Sequence, residues 1–194
     1  MRINRFVSKT RAAGPGTRFC IWMQGCSHAC EGCFATELWD KNGGSEIAVS
    51  DIIDKIKMAG ADIRGITLLG GEPFDQSAEL AEVARFAQSA GLDVIAFSGY
   101  TYEEIIADIK KAELLLYIDL LLDGKFEQDK QDFSRPLVGS SNQRFIYLTD
   151  RIDEAEMKMY KNRFEIRTDE NGKVYFNGMG DIEKLKEYTK KLRS

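Results

Sequence analysis

Cys26, Cys30 and Cys33 stand at C-x3-C-x2-C directly after an apolar run over residues 18–24, and this spacing restricts the chain more than any other feature. A thiolate is a soft ligand, suited to zinc or to an iron–sulfur cluster. Three thiolates on one short loop hold three corners of an iron–sulfur cubane and leave the fourth iron without a protein ligand. An open iron is a place for a substrate or cofactor to bind, so the spacing points to chemistry rather than to a structural clip. Structural zinc takes four closed ligands. His28 lies inside the loop as an available fourth, but neighbours on so tight a turn converge poorly on one tetrahedral ion. Spacing alone leaves iron–sulfur, zinc and free thiols open.

Three of the four cysteines cluster, which is not a disulfide framework. The fourth, Cys20, sits on the apolar run and reads as a small core side chain. A length of 194 residues with 43% hydrophobic content suits one domain with a buried core. A net charge of −4 argues against a non-specific nucleic-acid surface. Residues 1–16 are polar and basic, unlike a signal peptide, and no run reaches the length of a membrane span. The expectation is a cytoplasmic protein with neither nucleic acid nor membrane as a partner.

Along the chain, residues 1–17 read as an extended lead-in with a turn at Gly14-Pro15-Gly16. Residues 19–23 are a strand rich in aromatic and branched side chains. The cysteine loop follows at its C-terminal end, where parallel α/β folds place their sites. Ser50 is the expected cap of a helix whose face is Ile52, Ile53, Ile56 and Met58. Further strands are expected over 65–69, 92–97, 114–122 and 142–148. Helices are expected over 75–90, from the Thr101/Glu104 capping box to 112, and over 151–161 capped by Asp150. Strand and helix alternate every ~25–30 residues, the period of βα units, which predicts a curved parallel sheet of the α/β class. Residues 164–176 alternate around Asp169-Glu170-Asn171-Gly172, a hairpin signal, and a charged helix is expected over 181–192.

Gly70-Gly71-Glu72-Pro73 follows the cysteine motif at the end of the next strand. Phe97-Ser98-Gly99-Tyr100-Thr101, Asp123-Gly124-Lys125 and Gly139-Ser140-Ser141-Asn142-Gln143-Arg144 come after it. With Trp39-Asp40, this ordered set resembles the radical S-adenosylmethionine (SAM) superfamily. Within it, the set is most similar to the activating proteins of anaerobic ribonucleotide reductase and other glycyl-radical enzymes. The resemblance covers roughly residues 1–148 and departs at Gly32, where many members carry an aromatic; here the aromatic is Phe34.

The resemblance implies a partial (βα)6 barrel, open and curved, over residues 1–148. Residues 149–194 would then be an extension, a hairpin and helix, packed on the same domain. It implies a [4Fe–4S] cluster held by Cys26, Cys30 and Cys33, with SAM on its open iron. The methionine amino group is expected at Gly70, Gly71 and Glu72, and the adenine beside Gly32 and Phe34. Ser98 is either a ligand to SAM or an ordinary turn. Asp123 and Lys125 are either site wall or solvated turn. Asn142-Gln143-Arg144 would bind a carboxylate or a partner backbone, or else bury Arg144 with an acid. The Gly14-Pro15-Gly16 loop is expected near the active-site mouth. Trp39 is expected as a plug over the cluster loop, His28 as an exposed loop residue, and Arg18 at a strand edge. No catalytic side chain is expected beyond cluster and SAM.

The implied reaction is reductive cleavage of SAM to a 5′-deoxyadenosyl radical. That radical would take hydrogen from a glycine of a partner enzyme, with electrons from a low-potential donor such as flavodoxin or ferredoxin. A peptide- or small-molecule-tailoring enzyme is the alternative that the C-terminal extension favours. A zinc-stabilised interaction module is the alternative from another class.

Overall fold

A computed structural model describes residues 1–168, 172 and 174–179. The terminal helix expected over 181–192 and the turn residues 169–171 lie outside the described residues. The strands are β1 (Arg2–Thr10), β2 (Arg18–Met23), β3 (Ser45–Glu46), β4 (Gly65–Gly70), β5 (Asp93–Phe97), β6 (Leu120–Asp123), β7 (Arg144–Tyr147), β8 (Phe164–Thr168) and β9 (Val174–Gly178). The helices are α1 (Val49–Ala59), α2 (Ser77–Ser89), α3 (Tyr102–Ile106), α4 (Ile109–Leu115) and α5 (Glu154–Met159). Seven strands form one sheet in the order β3-β1-β2-β4-β5-β6-β7, and β8 pairs with β9 in a separate hairpin.

The four central strands, β2, β4, β5 and β6, are parallel. Period-2 alternation sends their side chains to two apolar layers. Phe19, Ile21, Met23, Ile66, Leu68, Val94, Ala96 and Leu121 pack into the helix-covered core. Their neighbours face the other way: Cys20 and Trp22 join Ala13 and Leu38. Ile95, Leu120 and Leu122 join Leu137, Val138, Ile152 and Met157. Burial on both faces explains why these strands read as continuous apolar runs.

The edges depart from the parallel expectation. β1 is a nine-residue strand where a lead-in was expected, and it runs antiparallel to β2. β7 returns antiparallel to β6, with Asp123 opposite Arg144. The connection between β6 and β7 holds only one 3-10 turn, Gln128–Lys130, so no helix carries the chain back for a parallel return.

Helix boundaries shift for identifiable reasons. Ala48, not Ser50, caps α1, and Met58 is exposed because it lies off the Ile52–Ile56–Ala59 face. The capping box at Thr101 forms, but the helix stops at Ile106 because the Asp108 side chain accepts from Lys110 N and Lys111 N and starts α4. The apolar run 114–122 is therefore divided between helix end, turn and strand, which an unpunctuated apolar run cannot signal. Asp153, not Asp150, caps α5.

At the N-terminal ends of the parallel strands lies Arg18, buried completely rather than closing an edge. Its guanidinium pairs with Asp93 at 2.5 Å and donates to Thr67 Oγ1, Pro15 O and Ile66 O. Gly14 packs against Ile95 and Arg18, and its N–H donates to Tyr160 Oη. The Gly14-Pro15-Gly16 loop thus closes the end of the sheet opposite the cysteine loop, which corrects its expected place at the mouth.

Candidate iron–sulfur and cofactor site

The cysteine loop leaves the C-terminal end of β2 and returns beside its own start. Gly25 N donates to Leu38 O at 2.8 Å and Cys26 N to Trp39 O at 3.3 Å. Gln24 clamps the same closure, with Nε2 donating to Glu37 O and Asp40 O and Oε1 accepting from Asn4. Inside the loop Ala29 holds φ at +46°, a left-handed conformation that costs a residue with a Cβ about 1–2 kcal/mol. Asp75 ties the loop to its neighbour: it accepts from Ser27 N, Ser27 Oγ and Tyr100 Oη, each at 3.0 Å.

Glu72 is the junction of the site. It is buried, and Oε1 accepts from Phe74 N and Ser98 Oγ while Oε2 accepts from Gly99 N. The loops after β4 and β5 are thereby joined through one carboxylate. His28 Nε2 comes within 3.3 Å of Glu72 Oε2, near enough to attract but not aligned as a hydrogen bond. The His28 side chain is buried, contrary to the exposed placement expected. Its ring meets Tyr100 edge-on at 4.3 Å and fills the space where a Cβ on Gly99 would lie. Gly70 and Gly71 are needed for close approach, since a Cβ on Gly71 would stand 2.1 Å from Gly25 O.

Cys26, Cys30 and Cys33 share one cleft with Gly70, Gly71, Glu72, Ser98 and Trp39, enclosing about 620 Å³, part of it open to solvent. Burial raises the Cys26 and Cys30 thiols above their ordinary value. Backbone hydrogen bonds from His28 and Ala29 to the first, and from Phe126 to the second, oppose that rise. Such N–H groups also suit sulfur carrying negative charge. Among the described residues no three His, Cys, Asp or Glu side chains gather closely enough for a single metal ion. The indole Nε1 of Trp39 is buried and has no partner among the described residues. A cluster sulfur in the cleft is an acceptor of the kind this donor lacks, so the residues present fit an iron–sulfur group. Trp39 is half-buried and lines the cleft with the three cysteines.

The remaining residues take definite places. Ser98 forms the turn, accepting from Tyr100 N while donating to Glu72. Phe34 is exposed on the cleft's flank, tilted against Phe126 at 5.3 Å and Phe133 at 5.9 Å. Gly32 lies outside the cleft lining at φ +72°, and a Cβ there would stand 2.6 Å from Gln128 Oε1, which accounts for the missing aromatic. The Asn142-Gln143-Arg144 run binds its own chain. Asn142 donates to Lys125 O, Gln143 to Gly124 O, and Arg144 to the buried Asp123 and to Glu103. Sequence reasoning missed Gln24, Gln76 and Asp75 as organisers. Gln76 brackets the backbone of Arg2 and Gln24. A buried amide beside a motif carries no periodic signal.

The family model described as "4Fe-4S single cluster domain" matches residues 12–146. The anaerobic ribonucleoside-triphosphate reductase-activating protein of Pasteurella multocida is 37% identical over 138 residues, 67% of this chain and 87% of that protein. Those of bacteriophage T4 (31%, 72% and 89%) and Salmonella typhi (34%, 74% and 96%) are similar over the same kind of span. The crystal structure of QueE from Escherichia coli matches at TM-score 0.43 and 20% identity over 52% of each chain, too slight to place any residue. The chain belongs to the 4Fe–4S single cluster domain family and, within it, to the anaerobic ribonucleoside-triphosphate reductase-activating proteins.

Proposed function

We propose that this protein activates an anaerobic ribonucleoside-triphosphate reductase by generating a glycyl radical on it. The observation that carries the proposal is the single open cleft in which three cysteines face the Gly70-Gly71-Glu72 strand end. Cys26, Cys30 and Cys33 hold the [4Fe–4S] cluster. Gly70 and Gly71, which line the cleft beside the cysteines, offer backbone to the methionine end of SAM. Glu72 and Ser98 hold that backbone in place through their mutual hydrogen bond. Phe34, on the flank next to Gly32, covers the adenine side. Held there, a reduced cluster would supply the one electron that cleaves a C–S bond of the SAM sulfonium to methionine and a 5′-deoxyadenosyl radical.

The chain's own part is to bind, orient and keep water out. Trp39 shields the inner side of the cleft, while the outer side stays open for a protein segment. The seven-stranded sheet serves as an open barrel over residues 1–148, and α5 and the β8–β9 hairpin, the elements described after residue 148, extend the same domain. A low-potential donor such as flavodoxin or ferredoxin supplies the electron, and the cytoplasm is the compartment. Among the described residues no helix is long and apolar enough to cross a membrane.

The test is anaerobic reconstitution with iron and sulfide, followed by dithionite, SAM and the reductase. We expect 5′-deoxyadenosine by chromatography and a glycyl doublet in electron paramagnetic resonance (EPR), both lost in Cys30→Ala. Zinc bound in place of iron, or deoxyadenosine with no doublet, would overturn the assignment.

A further inference from the structure

The 3-10 turn after β4, Pro73–Gln76, is pinned at its start. Glu72 accepts from Phe74 N, and Glu72, Pro73 and Phe74 are all buried. Asp75 is the first residue of the turn to reach solvent. One rigid turn therefore presents two carboxylates, Glu72 inward to the loop after β5 and Asp75 outward to the cysteine loop.

Asp75 Oδ2 accepts from Ser27 N, and Oδ1 accepts from Ser27 Oγ and Tyr100 Oη. The two hydroxyls are themselves 3.0 Å apart. The amide that follows Cys26 is thereby drawn away from the sulfur. The next two amides, of His28 and Ala29, turn back and hydrogen-bond Cys26. Ala29, at φ +46°, makes the reversal, and successive amides around a left-handed residue form a concavity that suits an anion. A left-handed residue with a Cβ persists only where its surroundings over-determine it. Here Asp75 holds Ser27 on one side. On the other, the Tyr100 ring, tied to Asp75 by its hydroxyl, meets His28 edge-on at 4.3 Å. Both restraints pass through the Asp75 carboxylate.

We propose that Asp75 is a positioning residue that sets the reduction potential of the cluster by aiming the His28 and Ala29 amides at Cys26. This rests on the reading of Cys26, Cys30 and Cys33 as cluster ligands. Hydrogen bonds to cluster sulfur favour the reduced form, so aimed amides raise the potential. The charge of a nearby carboxylate lowers it. The two effects of Asp75 are therefore opposite in sign and can be separated.

The test is an EPR-monitored redox titration of reconstituted full-length protein without SAM, comparing wild type with Asp75→Asn and Asp75→Ala. Asparagine removes the charge and keeps the contacts. Its oxygen accepts from Ser27 N, and its two N–H groups donate to the Ser27 and Tyr100 hydroxyls, which accept as well as donate. Alanine removes charge and contacts together. We expect Asp75→Asn to have a potential at or above that of wild type. Asp75→Ala should favour reduction about tenfold less than Asp75→Asn, ~59 mV in a one-electron couple, as loss of about one hydrogen bond would give. The two variants carry the same charge, so their difference reports the aim of the amides. Equal potentials in the two overturn the inference and leave Asp75 as a charge or a brace for the fold. Where Asp75→Ala takes up no iron, the double variant Ser27→Ala/Tyr100→Phe replaces it, since it keeps the carboxylate and the Ser27 amide but loses both hydroxyls. Its reduction equilibrium should fall about threefold below wild type, and an unchanged potential overturns the inference. A wild type that binds no [4Fe–4S] cluster overturns the ligand reading as well, whereas a cluster with equal variant potentials overturns the positioning role alone.

Discussion

Glu72 and Trp39 show two ways in which one side chain governs the site. Glu72 satisfies three buried or half-buried donors, so Glu72→Ala strands Phe74 N, Ser98 Oγ and Gly99 N together. The expected loss is about 3 kcal/mol or more, since each stranded donor costs about 1–3 kcal/mol, read from anaerobic denaturant unfolding. Glu72→Gln keeps the shape but turns an amide N–H₂ toward a donor, so it should recover only part of the stability. Trp39 would act through Nε1, which is buried with no partner among the described residues. A donor near cluster sulfur favours the reduced, more negative form. Trp39→Phe should therefore make the midpoint potential more negative by about 20–60 mV, the equivalent of one ordinary hydrogen bond in a one-electron couple. Iron content should not change. An EPR-monitored redox titration decides it, and an unchanged potential would assign Trp39 to packing alone.

Among the elements, the β8–β9 hairpin is held to β1 by Glu165, which accepts from Thr10 Oγ1 and Arg11 N, and this makes its docking pH-dependent. The folded carboxyl lies below its ordinary 4.5. Its contribution is thus complete above that value and lost as pH falls through the folded pKa. Trp22, 6% exposed beneath the hairpin, reports the change. In a Trp39→Phe background its emission should shift to the red on acidification below about pH 4.5, and Glu165→Gln should show the shift at pH 7 with its far-ultraviolet circular dichroism intact. The hairpin also shows what a sequence conveys. Alternation around Asp169-Glu170-Asn171-Gly172 announces a hairpin over residues 164–176, whose strands form at Phe164–Thr168 and Val174–Gly178, and the cysteine spacing and glycine pair announce the cleft. Nothing in that alternation says where the hairpin docks, because Thr10, Glu165 and Asn177 meet only through tertiary contact. The antiparallel return of β7 was equally hidden, since strand direction depends on the length and content of a connection rather than on the strand's own residues.

At the scale of the molecule, polar groups close both ends of the parallel strands, with carboxylates of opposite duty. At the cysteine end Glu72 and Asp75 organise loops around an open cleft. At the other end Asp93 meets Arg18 and Arg64 in a sealed network. Arg18→Met should cost about 3–5 kcal/mol in denaturant unfolding, because removing one partner of a buried pair leaves the other uncompensated. It should leave the cleft's iron content unaltered. A variant as stable as wild type would show that Arg64 alone neutralises Asp93.

Cys20 lies on the sealed side, with no exposed surface and a thiol pushed up to about 12 by burial, whereas the loop cysteines are partly accessible. The four thiols therefore form two chemically separate populations. Cluster-free protein treated with an alkylating reagent should take up three labels quickly and a fourth only after unfolding. Air should strike along the same division, turning the loop cysteines to disulfide or sulfenic acid while Cys20 stays reduced inside the sheet. Damage by oxygen would then erase the capacity to load iron yet leave the fold standing, so an oxidised sample returned to a thiol reductant and then given iron and sulfide should regain its cluster without refolding.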